Sequence, residues 1–415
     1  MTYKFSNKNS KTIFLLLFAA YTVSYIGRKT YGACMSDIKL SLAFDSLFAG
    51  YISTGYLFCY GLGQIISGFL ADKVNPSKMI GFGLCGAGFF NILAGLSLKP
   101  WHLLIFWCLN GSCQSMLWSS TIRSISLWLP KEDHGIAGTN IGATLPIGTL
   151  IAYLISSLCL KYLNWRFAFI FAGVCVFFMG IVWFLGCNRK SAYINSVSVI
   201  ETEKIKESGN TFESLIYCVI TCGTVSVIFA LFCNGILKDG MTDWISSFLS
   251  ETYGTTASNS ALLLTLLPIT NLTGNYVARW FDQKYTHNEI ACSCILFTLS
   301  STFIVLIFFS KSAIISAILF AMVCALMGGI NNELLTFVPL HFSKIGKSGL
   351  ITGFFNSCSY LAAALSGIIA GGILQTKTWM YLIAFWGIIS AVGIPVCLIG
   401  AKQWDRGKLI LEENV

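Results

Sequence analysis

The chain has 415 residues, 55% of them hydrophobic and 11% charged, with a formal net charge of +9 and a mean hydropathy of +0.72. A soluble domain carries roughly a quarter charged residues, so this composition excludes one and requires a polytopic membrane protein. The positive balance does not point to nucleic acid once the charges are placed along the chain.

Apolar runs of about 20 residues mark membrane-spanning helices. Twelve such runs follow in order, roughly 12–37, 47–70, 78–98, 101–128, 135–160, 166–187, 219–249, 258–280, 289–310, 312–340, 348–374 and 378–401. The first is long, carries Arg28 and Lys29 and shows no small-residue cleavage pattern, so no removable signal peptide is expected. With both termini inside, and charges near span ends counted with the loop they adjoin, 18 of the 27 Lys and Arg fall on the inner side, 6 outside, and Arg28, Lys29 and Lys238 within spans. That bias is the one the positive-inside rule requires of an even number of spans. The chain is therefore expected in the cell (plasma or inner) membrane, multi-pass, with cytoplasmic termini.

The longest polar stretch, within 188–213, separates six spans from six, giving an N-terminal half 1–187, a cytoplasmic linker 188–213 and a C-terminal half 214–415. The halves look related. "GFLADKVNPSK" after the second span and "GNYVARWFDQK" after the eighth are offset by 206 residues, and "GIAG" in the fifth and "GLITG" in the eleventh by 214. Such offsets describe two pseudo-symmetric six-helix bundles descended from one unit.

The same offset explains two charges at membrane depth. Arg28 stands in "TVSYIGRKTY" and Lys238, 210 residues later, in "ILKDGMTDW". A buried charge costs at least about 2.5 kcal/mol at the centre of a span, so each needs a partner. One cation on the first helix of each half describes an anion clamp, because transporters built from repeats bind substrate near the midplane. Separate neutralisation, of Lys29 by Asp243 and of Lys238 by Asp239, is the alternative. Glu333, in "GGINNELLTF" of the tenth span, is a candidate for a coupling proton or for the counter-ion of Lys238. Gln64, Gln114, Asn140, Asn234 and Asn356 are candidates for substrate hydroxyls or for links between helices.

The 16 cysteines lie mostly inside spans, as in "FCYG" and "ACSCIL", where they act as small apolar residues. His102, His134, His287 and His341 have no metal-ligand spacing. The "GKS" at Gly346 to Ser348 lacks the upstream glycine of a nucleotide-binding loop, His341 standing in its place. No metal, no cofactor, no direct use of ATP and no enzymatic activity are expected.

"YTVSYIGRK", "YGLGQIISGFLADKVNP", "LKDGMTDW" and "GFFNSCSYL" together resemble the organophosphate:phosphate antiporter branch of the major facilitator superfamily, which includes bacterial glycerol-3-phosphate and hexose-phosphate transporters. The resemblance implies an all-α integral membrane fold of twelve transmembrane helices in two six-helix bundles. It also implies Arg28 as a phosphate ligand, with Tyr21, Tyr25 and Tyr60 lining the same cavity and Tyr360 facing them. Lys29 and Asp243 match a pair bridging the halves on the outer side, and Asp72 and Arg123 match an inner-side network. The sequence departs from the branch in three places: its second arginine is Lys238, its second-helix lysine is Gln64, and its fifth-helix histidine is Thr144. Lysine lacks the planar fork of arginine, so a sugar acid competes with a phosphorylated substrate.

The function expected is secondary active transport of a small organic anion, a phosphorylated sugar or glycerol compound exchanged for inorganic phosphate by alternating access. A proton-coupled sugar-acid transporter and a transporter-like hexose-phosphate receptor are the alternatives. A multidrug exporter would want an acid in the first half, where the deep charges are basic. The expected partners are the substrate anion, inorganic phosphate or a proton, and the bilayer; the chain is expected to be a monomer.

Overall fold

The structure is a computed structural model that describes residues 5–71, 74–190, 224–341 and 348–413. Asp72, the "GKS" motif apart from Ser348, and most of the central linker lie outside the described residues. Among the described residues there is no β-strand, and each of the twelve apolar runs is overlaid by a helix or by a broken set of helices. In the first half these are α1 (Lys8–Leu42), α2 (Ser46–Ala71), α3 (Pro76–Gly95), α4 (Pro100–Trp128), α5 (Lys131–Ile141), α6 (Thr144–Tyr162) and α7 (Trp165–Arg189). In the second they are α8 (Val225–Gly235), α9 (Ile245–Tyr253), α10 (Ala257–Leu263), α11 (Leu266–Phe281), α12 (Glu289–Phe309), α13 (Ala313–Asn332), α14 (Val338–His341), α15 (Ser348–Thr376) and α16 (Trp379–Glu413).

By length and apolarity, nine helical segments among the described residues can cross a membrane, or ten if a bent pair counts as one span.

Local chemistry sets many of the helix starts. The Asn75 side chain accepts the Ser77 N–H at 2.8 Å ahead of Pro76, and Asn164 accepts the Arg166 N–H at 3.0 Å. Asn288 accepts from the N–H groups of both Ile290 and Ala291 at the start of α12. Each satisfies donors that a helix start leaves without a partner.

Several expected continuous spans are broken. The fifth divides at Gly142–Ala143 into α5 and α6, and the seventh bends by 55° between Gly240 and Ile245. Three π-helical turns interrupt the second half, at Ile236–Gly240, Asp282–Thr286 and Glu333–Phe337. In the first two, Met241 N–H donates to the Ile236 carbonyl at 3.0 Å and His287 N–H to the Asp282 carbonyl at 2.9 Å. Such turns concentrate at functional sites, and two of these hold Lys238 and Glu333.

The chain forms two compact units, residues 1–31 with 62–209, and residues 32–61 with 210–415. A cut at the central linker would place 32–61 with the first half, but this stretch, the C-terminal end of α1 and the first part of α2, packs within the second unit. There the Ser246 hydroxyl donates to the Ala33 carbonyl at 3.2 Å, and the Thr54 hydroxyl to the Ala364 carbonyl at 2.6 Å. Gly50 on α2 meets Gly367 and Gly371 on α15 so closely that a Cβ on Gly50 would run into the Gly367 carbonyl. Small residues four apart are what lets membrane helices approach backbone to backbone. Gly367→Val is therefore expected to lower stability by about 1–3 kcal/mol, seen as a lower unfolding temperature in detergent. Gly372→Val, where a Cβ meets nothing within 4 Å, should leave it unchanged.

Candidate functional site

In the first unit, Tyr21, Tyr25 and Arg28 follow one another at helical spacings of four and three on α1, so they share a face. All three are buried, Arg28 to 6% exposure. The Arg28 guanidinium lies 5.3 Å from the centre of the Tyr25 ring, and its Nη1 donates to the Tyr25 hydroxyl at 3.5 Å, the long limit of a hydrogen bond. Tyr25 meets Tyr21 edge-on at 5.6 Å, and Tyr21 packs on Trp118 of α4 at 5.1 Å. Behind this face Gln114 donates from Nε2 to the Ser24 carbonyl at 3.2 Å, fixing α1 against α4. An arginine over a tyrosine face gains from the ring quadrupole without surrendering its planar fork. Gln64 is also buried in this unit, and Lys29 half-buried.

Thr144, where the family's branch carries histidine, is fully buried and gives its hydroxyl to the Ile141 carbonyl at the α5–α6 break. It ties the broken span. Asn140 is exposed and donates to the Ile136 carbonyl of its own helix at 2.9 Å. Arg123 is half-buried on α4.

In the second unit the structure brings together Lys238, Tyr60 and Tyr360. The Tyr60 and Tyr360 rings meet edge-on at 4.8 Å, Tyr60 stacks on Tyr56 at 6.2 Å, and Lys238 Nζ lies 5.9 Å from the Tyr360 ring centre. Lys238 also pairs with Asp239 Oδ2 at 2.7 Å, so its counter-ion is its neighbour and not Glu333. Asn356 stands half-buried on α15, one turn before Tyr360. Asn234 donates to the Met327 carbonyl at 2.8 Å and so links α8 to α13. Asp243 accepts from the Ser53 hydroxyl at 3.1 Å, and its backbone lies against Gly32.

Glu333 occupies a different setting. It is fully buried, and its Oε2 accepts from Arg279 Nη1 at 3.3 Å, while the same nitrogen donates to Asp282 Oδ2 at 2.9 Å. The Arg279 guanidinium also lies 3.6 Å from the Phe337 ring centre. Asp282 is held in turn by the Thr286 hydroxyl at 2.7 Å and the Asn288 N–H at 3.0 Å. Arg279 and Asp282 were not among the residues expected to function, although both stand in the "GNYVARWFDQK" stretch that marks the repeat. Arg123 and Glu333 are 210 residues apart, and Asp72 and Arg279 are 207 apart. In sequence, the acid after the second span and the base of the fourth thus recur as a base in the eighth and an acid in the tenth.

Beside the Glu333 network, Glu289 accepts from Trp404 Nε1 at 2.9 Å and lies 2.8 Å from His341 Nε2, fastening α12 to α14 and α16.

Residues 17–367 match the family model described as Major Facilitator Superfamily. The chain belongs to that superfamily. Members of the Major Facilitator Superfamily are transporters, not enzymes. Among curated proteins, this member is 25% identical over 410 residues to "Probable hexose phosphate transport protein" of Chlamydia pneumoniae, covering 93% of this chain and 89% of that protein. It is 24% identical to "Membrane sensor protein UhpC" of Escherichia coli strain K12, covering 93% and 90%. These relatives bear out the resemblance to the organophosphate branch of the superfamily. Among solved structures, a bacterial homologue of the human lysosomal transporter Spinster aligns over 98% of this chain and 94% of that one, with a TM-score of 0.71 at 13% identity. That likeness shows the major facilitator fold.

Proposed function

We propose that this superfamily member is a secondary transporter of sugar phosphates that exchanges them for inorganic phosphate by alternating access. The observation that carries the reading is the buried Arg28 guanidinium set on the Tyr25 ring, on a helix whose pattern matches the sugar-phosphate branch. A guanidinium grips a phosphoryl group through two parallel hydrogen bonds, and Lys238 supplies a second cation as a point charge. Tyr21, Tyr25, Tyr60, Tyr360, Gln64 and Asn356 are the polar groups this reading assigns to the sugar and its phosphate. Lys29 with Asp243, and Asp72 with Arg123, are its gate pairs. The protein acts as a monomer in the cell membrane, with both termini in the cytoplasm.

The test is uptake into proteoliposomes loaded with inorganic phosphate. Labelled hexose phosphates should enter and sugar acids should not, with Lys238→Ala raising KM about tenfold, as expected for one charge-assisted contact. Uptake of a sugar acid driven by a proton gradient, without internal phosphate, would replace the reading. A sensor is the second reading, favoured by the similarity to UhpC. It expects tight hexose-phosphate binding with no exchange in the same vesicles.

A further inference from the structure

A cavity of about 490 Å³ opens in the first unit between the inner ends of α1, α4 and α7. Its walls are apolar: Ile13, Leu16 and Ala19 of α1, Trp128 of α4, and Met179 and Trp183 of α7. Trp128 and Trp183 stack at 6.1 Å with their planes 28° apart, and Trp183 is anchored by donating its Nε1–H to the Ser77 carbonyl at 2.8 Å. Its apolar walls offer a water few of the two to four polar partners it needs. None of its lining residues is among those assigned to the proposed transport site.

The rim is of opposite character. Arg189 and Lys190, at the end of α7, line the mouth of the cavity. Lys190 Nζ donates to Asn9 Oδ1 at 2.8 Å, which ties the end of α7 to the first turn of α1. A basic rim over an apolar slot at the end of a helix bundle matches an acyl chain with an anionic headgroup. Lysine and arginine at helix ends reach for that headgroup level.

We propose that this cavity is a specific site for an anionic phospholipid, one acyl chain lying against Trp128 and Trp183 and the phosphate held by Arg189 and Lys190. Zwitterionic lipid offers the same chain without net charge, so the rim sets the preference. Occupation would brace α1 against α7 one side away from Arg28.

The experiment uses the full chain reconstituted in phosphatidylcholine membranes containing a minor share of either phosphatidylglycerol or phosphatidylcholine with brominated acyl chains. Bromine quenches nearby indoles, and subtracting the signal of Trp128→Phe/Trp183→Phe isolates the two cavity tryptophans. Brominated phosphatidylglycerol should quench that component several-fold more than brominated phosphatidylcholine. Arg189→Gln/Lys190→Gln should abolish the difference, and Arg189→Lys should restore most of what Arg189→Gln loses. Should a variant fail to insert, phosphatidylglycerol retained by wild-type protein through detergent exchange, counted by mass, should exceed phosphatidylcholine at equal supply. Equal quenching or equal retention of the two headgroups overturns the site, as does a preference indifferent to Arg189 and Lys190. Absence of quenching by either lipid means that the slot is closed or filled by another segment, and overturns it too.

Discussion

Replacing Arg28 with lysine is expected to lower sugar-phosphate affinity by about 10- to 150-fold while leaving the protein inserted and folded. One charge-assisted hydrogen bond contributes about 1.5–3 kcal/mol, and lysine keeps the charge but loses the parallel pair of donors that matches a phosphoryl group. Arg28 sits on the Tyr25 ring at 5.3 Å and is buried to 6% exposure. Lysine on the same helix position cannot reproduce that flat contact. Arg28→Ala should bind worse than Arg28→Lys, whereas Lys238→Ala, whose cation is already shared with Asp239 at 2.7 Å, should be milder. Affinity measured by calorimetry on purified protein decides the matter. Arg28→Lys with unchanged affinity would remove Arg28 from the phosphate site and with it the proposed substrate class.

The second large effect is expected at Arg279. Its removal leaves Glu333, with no exposure of its own, beside Asp282 without their shared cation. Uncovering one member of a buried ion pair costs about 3–5 kcal/mol, while replacing both by apolar residues is often neutral. Arg279→Ala should therefore unfold at markedly lower temperature, and Arg279→Leu/Glu333→Leu should recover only the part due to Glu333, because the buried Asp282 still lacks its cation. A double-mutant cycle without coupling would reject the pair. The same pair bears on what drives transport. Glu333 is engaged as the counter-ion of Arg279, so the exchange reading assigns it no proton to carry. Uptake into phosphate-loaded vesicles should then persist with a proton ionophore and in Glu333→Gln. Ionophore-sensitive accumulation into vesicles free of phosphate and substrate, lost in Glu333→Gln, would establish proton coupling instead.

Much of the architecture could be read directly because bilayer burial writes long apolar runs into the sequence, and the Asn75–Pro76 and Asn288–Glu289 pairs announce helix starts chemically. The α1 stripe of Tyr21, Tyr25 and Arg28 was equally plain, since helical spacing alone puts those residues on one face. Tertiary features were harder. The π-turn at Lys238 has no Pro to announce it, whereas Pro339 stands two residues past the one at Glu333. The Arg279–Glu333 pair joins residues 54 positions apart, and its charges are reversed relative to Asp72 and Arg123, so a search for like residues in the two halves passes over it. Asn234 and Gln114 looked like ligands because an amide in a span is polar wherever it faces. Their carbonyl partners, Met327 and Ser24, are visible only once the helices are packed.

The membership of residues 32–61 in the second unit bears on how the chain is made. A fragment ending in the central linker would hold the outer ends of α1 and α2 without the α15 glycines they pack on, and a fragment beginning there would expose Gly367 and Gly371. Neither fragment is expected to fold fully by itself, and function should return only when the two are expressed together. During synthesis the first unit can close early, as domains commonly do, but the Gly50 contact waits for α15. Residues 32–61 leave the ribosome early and wait through most of the chain for their packing partners.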